Sequence, residues 1–291
     1  MEKNCTLCPV SCGVEREIRA GACGGTDKMV IAKYGLHPFE EPCISYKNGS
    51  GTIFFSGCAL RCVFCQNFEI SRSKTGRETD EKGLVRIIRE LEERGAENIN
   101  LVTAAHYIPA LVRAFELYRP KIPVVYNTHS YEKAQTLAMI DKYIDVYLPD
   151  LKYFSPKISV RYTGKSDYFE YAIRAVQFMS NRTPDVKDGK MFSGCIVRHL
   201  VLPLCQNDSI EIVKQFASLH SKAYFSLMGQ YTPCGEIDKF PELKRRLTRR
   251  EYEKVCRAVE EAGLENVFIQ ELSSADEKFI PDFSEKTDTL F

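Results

Sequence analysis

Residues 51–67 read GTIFFSGCALRCVFCQN. The opening GTIFFS is a short apolar run, and it predicts a buried strand. That strand leads straight into a loop holding Cys58, Cys62 and Cys65 at spacing C-x3-C-x2-C. A closed zinc site wants four ligands, and the loop offers no fourth. An electron-transfer iron–sulfur cluster usually takes four protein thiolates as well. Three thiolates hold three irons of a [4Fe–4S] cube and leave the fourth iron open. A loop that stops at three cysteines therefore suits a cluster that must bind a substrate or cofactor.

Downstream the chain alternates strand and helix patterns. Residues 80–94 predict a helix, with Asp80 as cap and Leu84, Ile87, Ile88 and Leu91 on one face. Strands are expected at 98–103, 122–127, 145–152, 195–202, 223–229 and 266–272. Helices are expected at 107–118, 131–140, 167–181, 208–220 and 248–263. Strands separated by helices imply parallel βα units, and six or so imply a partial or full (β/α) barrel. Chemistry in such barrels sits on loops after the strands, where the cysteine loop falls. Three regions follow: a Cys-rich N-terminal segment at 1–50, a barrel at 51–275 and a polar tail at 276–291.

Bulk composition narrows the class. Hydrophobic residues make up 44% and charged residues 27% of 291, as in ordinary globular proteins. A net charge of +1 gives no electrostatic reason to expect nucleic acid or an anionic membrane. No run approaches the roughly 18 apolar residues that span a bilayer, and no apolar leader opens the chain. A cytoplasmic protein is expected. In that reducing compartment the twelve cysteines speak for metal or redox chemistry rather than disulfides.

The stretch CALRCVFC resembles the radical S-adenosylmethionine (SAM) motif C-x3-C-x-Φ-C, with Phe64 as Φ. The wider string SGCALRCVFCQN is similar to the activases of glycyl radical enzymes, pyruvate formate-lyase-activating enzyme included. It is more similar still to an uncharacterised homologue branch of that activase, and the likeness runs to about residue 233. The resemblance implies a [4Fe–4S] cluster on Cys58, Cys62 and Cys65 whose open iron chelates SAM. It implies reductive SAM cleavage to a 5′-deoxyadenosyl radical that takes hydrogen from a substrate. Phe64 would lie near the adenine. Such an oxidoreductase would be oxygen-sensitive and draw electrons from a flavodoxin or ferredoxin.

The resemblance also points to the ends of later strands. Asn127 and Thr128 stand where activases have Asp-Thr, and Asp150 and Lys152 where they have Asp-x-Lys. These four are the expected SAM contacts. The activase Gly-Gly-Glu is replaced by Ala104, Ala105 and His106. His106 is thus a candidate contact to SAM or a proton donor near neutral pH. On the strand CIVRHLVLP, Arg198 is preferred over His199 for meeting a carboxylate inside the barrel. Gln230 and Tyr231 are candidates for substrate contact.

The N-terminal Cys5, Cys8, Cys12 and Cys23 follow C-x2-C-x3-C-x10-C. Four thiolates with a tight start suit zinc or a second iron–sulfur cluster. His37, Glu40 and Glu41 belong to a segment that reads as a solvated linker between arm and barrel, the alternative being a lining of the barrel mouth. Cys195, Cys205, Cys234 and Cys256 lack tight spacing and read as structural thiols. The run KRRLTRR at 244–250 reads as a solvated face or a dock for an acidic electron donor. The substrate is expected to be a glycyl radical enzyme. The alternatives are a small molecule, another protein side chain, or a non-catalytic metal-binding or electron-transfer role.

Overall fold

The computed structural model describes residues 4–73, 75–272 and 283. Its strands are β1 (Met29–His37), β2 (Ser50–Phe55), β3 (Arg77–Thr79), β4 (Ile99–Val102) and β5 (Val124–Thr128). They continue as β6 (Val146–Pro149), β7 (Asp185–Lys187), β8 (Lys190–Leu200), β9 (Tyr224–Met228) and β10 (Val267–Ile269). The sheet order is β10-β9-β8-β6-β5-β4-β2-β1-β3, with β7 paired to β8. Neighbours from β2 to β10 along this path pair in parallel. Among the described residues the sheet does not close between β10 and β3, so the barrel they form is partial rather than full.

The helices are α1 (Pro42–Ser45), α2 (Phe68–Arg72), α3 (Glu81–Glu93), α4 (Ile108–Leu117) and α5 (Ala134–Ile140). After them come α6 (Pro156–Thr163), α7 (Tyr168–Met179), α8 (Gln206–Ala217) and α9 (Arg249–Glu261). Asp80 caps α3 as its sequence demands: its Oδ1 accepts the Gly83 N–H at 2.7 Å. Leu84, Ile88 and Leu91 are buried beneath it.

Alternation along the strands sorts two cores. Tyr126, Tyr147, Cys195, Val197 and Phe225 face the helices in the main cluster. Val125, Val146, Leu148 and Ile196 face the barrel interior and pack on Cys43 and Ile44 of α1. The segment before the barrel is therefore built into it. Strand β1 pairs antiparallel with β2, from Ile31 opposite Phe55 to His37 opposite Ser50. The chain then dives into the interior through α1. The tail expected at 276–291 lies outside the described residues except for Phe283, whose ring meets Phe54 edge-on at 5.3 Å.

Helix α9 begins on a capping box. Glu251 N–H donates to Thr248 Oγ1, and the Glu251 carboxylate accepts the Thr248 N–H at 2.9 Å. The same carboxylate accepts the Leu204 N–H and the Arg245 guanidinium, tying the β8–α8 turn to the helix start. Replacing Thr248 with Ala is expected to cost about 1 kcal/mol, read as a lower midpoint in urea denaturation.

Candidate functional site

The three cysteines occupy the loop leaving the C-terminal end of β2. Cys58 and Cys62 are buried and Cys65 is half-buried. The loop is pinned from several sides. Val63 N–H donates to Tyr162 O at 3.0 Å, and Glu236 N–H donates to Val63 O at 2.8 Å. The Phe64 ring is buried, with Tyr153, Tyr162 and Tyr231 set edge-on around it at 5.8–6.4 Å. Its side chain is committed to the core, where it anchors the loop.

The thiols are approached from different parts of the fold. Tyr153 Oη donates to Cys62 Sγ at 3.5 Å. The His129 imidazole stands within electrostatic reach of Cys58, and Ser71, whose hydroxyl donates to Phe68 O at 3.1 Å, lies close to Cys65. His129 Nδ1 accepts the Tyr131 N–H at 3.0 Å, which leaves Nε2 as the nitrogen that carries the proton toward sulfur. Burial pushes Cys62 up to about 11 and Cys65 up to about 12. Burial also raises Cys58, but the charge and hydrogen bond of His129 outweigh it and bring that thiol to about 7. Crowded buried thiols of this kind are costly as bare thiolates, and a bound cation removes that cost. Among the described residues, no three Cys, His, Asp or Glu side chains stand at the spacing of a single bound ion. Cluster thiolates each take a different iron, so the donor set fits a cluster rather than a lone ion.

Beside this loop the interior holds a charged network. Arg198 Nε donates to Asp150 Oδ1 at 2.8 Å, and its two terminal nitrogens donate to Glu40 Oε2 at 3.1 Å and Asn127 Oδ1 at 2.7 Å. Glu40 Oε1 accepts from Asn100 and Asn127. Lys152 Nζ donates to Asp150 Oδ2 at 2.6 Å. Burial pushes the Asp150 carboxyl up, but Arg198 and Lys152 together hold it below the usual carboxylate range. Lys152 also lies within electrostatic reach of Cys62, so the network and the cysteine loop meet there.

The structure thus brings Asn127, Asp150, Lys152 and Arg198 together next to the cysteines. It separates several other candidates from them. Thr128 faces the helices, where its hydroxyl donates to Glu132 and accepts the Ser130 N–H. One residue of strand parity divides it from Asn127. His199 likewise faces outward, its Nδ1 2.6 Å from Leu151 O.

His106 lies under the N-terminal arm, its Nε2 2.9 Å from Ser56 O, with Arg16 donating to its carbonyl. Burial pushes it down to about 3, which favours the neutral imidazole. Tyr231 is buried and donates to Leu243 O. Gln230 donates to Met228 Sδ at 3.7 Å. His37, Glu40 and Glu41 do not line the mouth. Glu40 and Glu41 enter with α1 from the opposite end, where Glu41 Oε1 accepts from Ser226. The sequence reading passed over His129, Tyr153 and Ser71. The first two directly follow parallel strands, the positions where barrel chemistry concentrates.

An open parallel barrel with a three-cysteine loop after its first parallel strand is the frame of a cluster-dependent enzyme. Residues 52–194 match the family model of the Radical SAM superfamily. The match covers the three-cysteine loop and the strands β2 and β4 to β6 that surround it, and a domain of this kind implies a [4Fe–4S] cluster and SAM. An uncharacterised protein of Methanocaldococcus jannaschii is 28% identical over 276 residues, covering 91% of this chain and 77% of the relative.

Solved structures resemble it more distantly. A domain of pyruvate-formate lyase-activating enzyme from Bacteroides vulgatus has a TM-score of 0.40 at 12% identity, covering 57% of this chain and 89% of its own. SuiB of Streptococcus suis has 0.47 at 17%, covering 76% of this chain and 49% of its own. A radical SAM methyltransferase from Sphaerobacter thermophilus has 0.46 at 13%, covering 76% of this chain and 66% of its own. Among the described residues no helix is long and apolar enough to cross a membrane.

Truncating Arg198 to Met would leave Glu40 without its counter-charge and Asp150 with Lys152 alone. A loss of about 3–5 kcal/mol in unfolding free energy is expected, measured by chemical denaturation of the purified variant.

Proposed function

We propose that Cys58, Cys62 and Cys65 hold the [4Fe–4S] cluster and that SAM lies beside it against Lys152 and Asp150. The observation that carries this is the convergence of the three buried thiols with Tyr153, His129 and Lys152 at the C-terminal ends of the parallel strands. When bound, the cluster and SAM supply reductive cleavage of the sulfonium S–C5′ bond and a 5′-deoxyadenosyl radical that takes a hydrogen atom from the substrate. The chain's own residues orient and shield. The Lys152 ammonium supplies a positive charge for the carboxylate of SAM. Asp150, kept ionised by its two cations, offers its remaining lone pairs to ribose hydroxyls. The buried aromatic shell of Phe64, Tyr153 and Tyr162 keeps water from the loop.

The proposed substrate is a glycine of a partner polypeptide, in the manner of the activases. The likeness of SGCALRCVFCQN and the open side of the sheet support this reading. The electron would come from a flavodoxin- or ferredoxin-type donor. Lys244, Arg245 and Arg249 are paired with Asp238, Glu251 and Glu253. Arg246 and Arg250 are left as the outward cations of the basic run.

The first test is anaerobic: reconstitution with iron and sulfide, reduction with dithionite, addition of SAM, and assay for 5′-deoxyadenosine. Product is expected from the native chain and none from Cys62→Ala. Failure of the native chain to form a cluster would sink the assignment. A glycyl radical signal in electron paramagnetic resonance of a co-incubated partner supports the polypeptide substrate, whereas turnover of a small molecule alone replaces it. A separate expectation concerns Tyr153. Hydrogen bonds to cluster sulfurs stabilise the reduced state, so Tyr153→Phe should keep the cluster and move its midpoint potential to a more negative value in a redox titration.

A further inference from the structure

Residues 4–28 form no helix or strand, and Val14 and Cys23 are their only buried apolar side chains. A segment so short of core needs another source of order. Its backbone folds into two clasped loops. Cys5 N–H donates to Val14 O at 2.9 Å and Gly13 N–H to Cys5 O at 3.1 Å, while Gly21 N–H donates to Gly25 O at 2.9 Å. The clasp turns four cysteines toward one another. A Cβ on Gly21 would stand 3.3 Å from Cys12 Sγ and 3.5 Å from Cys23 Sγ, so both sulfurs flank that glycine. Cys5 hydrogen-bonds Cys12, and Cys8 is within electrostatic reach of Cys5 and Cys23.

Their sulfurs are also dressed by backbone. Val10 and Ser11 N–H groups lie close to Cys8, and those of Val14 and Ala22 close to Cys12. Cys23 accepts from Gly25 N–H at 3.4 Å. An N–H two residues beyond the cysteine recurs in all three, so each sulfur sits in the crook of a tight turn. No carboxylate or imidazole is needed, since thiolates alone select zinc or iron–sulfur clusters.

We propose that Cys5, Cys8, Cys12 and Cys23 form a second metal centre, bound by four thiolates and distinct from the Cys58 loop. Its carrier is docked on the barrel rim. Lys133 Nζ donates to Thr6 O and Thr136 Oγ1 to Leu7 O, each at 2.8 Å. Cys58 N–H donates to Cys23 O at 2.9 Å, so one residue of each cysteine set shares a hydrogen bond. Gly57 sits at φ +89°, and a Cβ there would stand 2.6 Å from Cys23 O. The centre therefore orders the arm that covers the cysteine loop. The four thiols, like those of the Cys58 loop, stand wider than the ligands of one ion. An iron–sulfur cluster accepts that spread, whereas zinc requires them to close in.

The test counts metals and acid-labile sulfide in the full chain, purified anaerobically. The native protein is expected to carry metal beyond the four irons of the radical SAM cluster. Extra iron with matching sulfide identifies a cluster, and one zinc per chain identifies a zinc knot; either supports the centre. A Cys58→Ser, Cys62→Ser, Cys65→Ser variant should keep that extra metal, and a Cys12→Ser, Cys23→Ser variant should lose it alone. Four irons and no zinc in the native protein would overturn the proposal without reference to any variant. Because the two cysteine sets are scored separately, failure here leaves the Cys58 assignment untouched.

Discussion

A buried guanidinium must satisfy its whole donor fork or not be buried at all. Arg198 meets that demand with Asp150 from the end of β6, Asn127 from β5 and Glu40 from the turn before α1. Three segments far apart in sequence are thereby fixed to one another inside the barrel. Each acceptor is then held on its other side: Asp150 by Lys152, and Glu40 by Asn100 and Asn127. Fully satisfied networks of this kind are rigid, and partly satisfied ones are costly. The position of Lys152 near Cys62 thus depends on an arginine of the neighbouring strand β8.

This explains why Glu40 was misplaced by sequence reading. Its segment, LHPFEEPCIS, carries turn residues and charges and reads as a solvated linker. Only the demand of Arg198, 158 residues later, calls Glu40 inward, and no local pattern encodes that. The parallel units were legible because periodicity is local. Asp80 and the apolar face of α3 are examples, as is the strand running into the cysteine loop. Strand β1 was not legible as part of the barrel, because its antiparallel pairing is set by β2 rather than by a helix between them. Thr128 shows a finer limit. In a strand buried on both faces, polarity alone does not say which neighbour points inward, and Asn127 rather than Thr128 does.

His106 marks where the N-terminal arm is fitted to the barrel. Its imidazole, buried, turns to the Ser56 carbonyl. The space above it is taken by the arm. Gly25 packs so closely that a Cβ there would stand 2.6 Å from His106 Cδ2. Arg16 closes the contact by donating to the His106 carbonyl and by lying over the Tyr107 ring at 5.7 Å. His106 and the arm therefore form one packed unit.

The surroundings of the three thiols carry the same logic into the loop itself. Ser71 rides on α2, which follows the loop; His129 follows β5; Tyr153, after β6, donates to Cys62. The loop backbone is also clasped by Tyr162 O and the Glu236 N–H. A loop packed among this many elements moves only if the barrel itself deforms. Tyr168 stiffens two of these elements at once, since its hydroxyl bridges the His129 and Asp150 carbonyls and accepts the Lys152 N–H. A loop with positive-φ residues at Gly57 and Arg61 would otherwise have ample freedom. Its fixed shape comes from the strands around it.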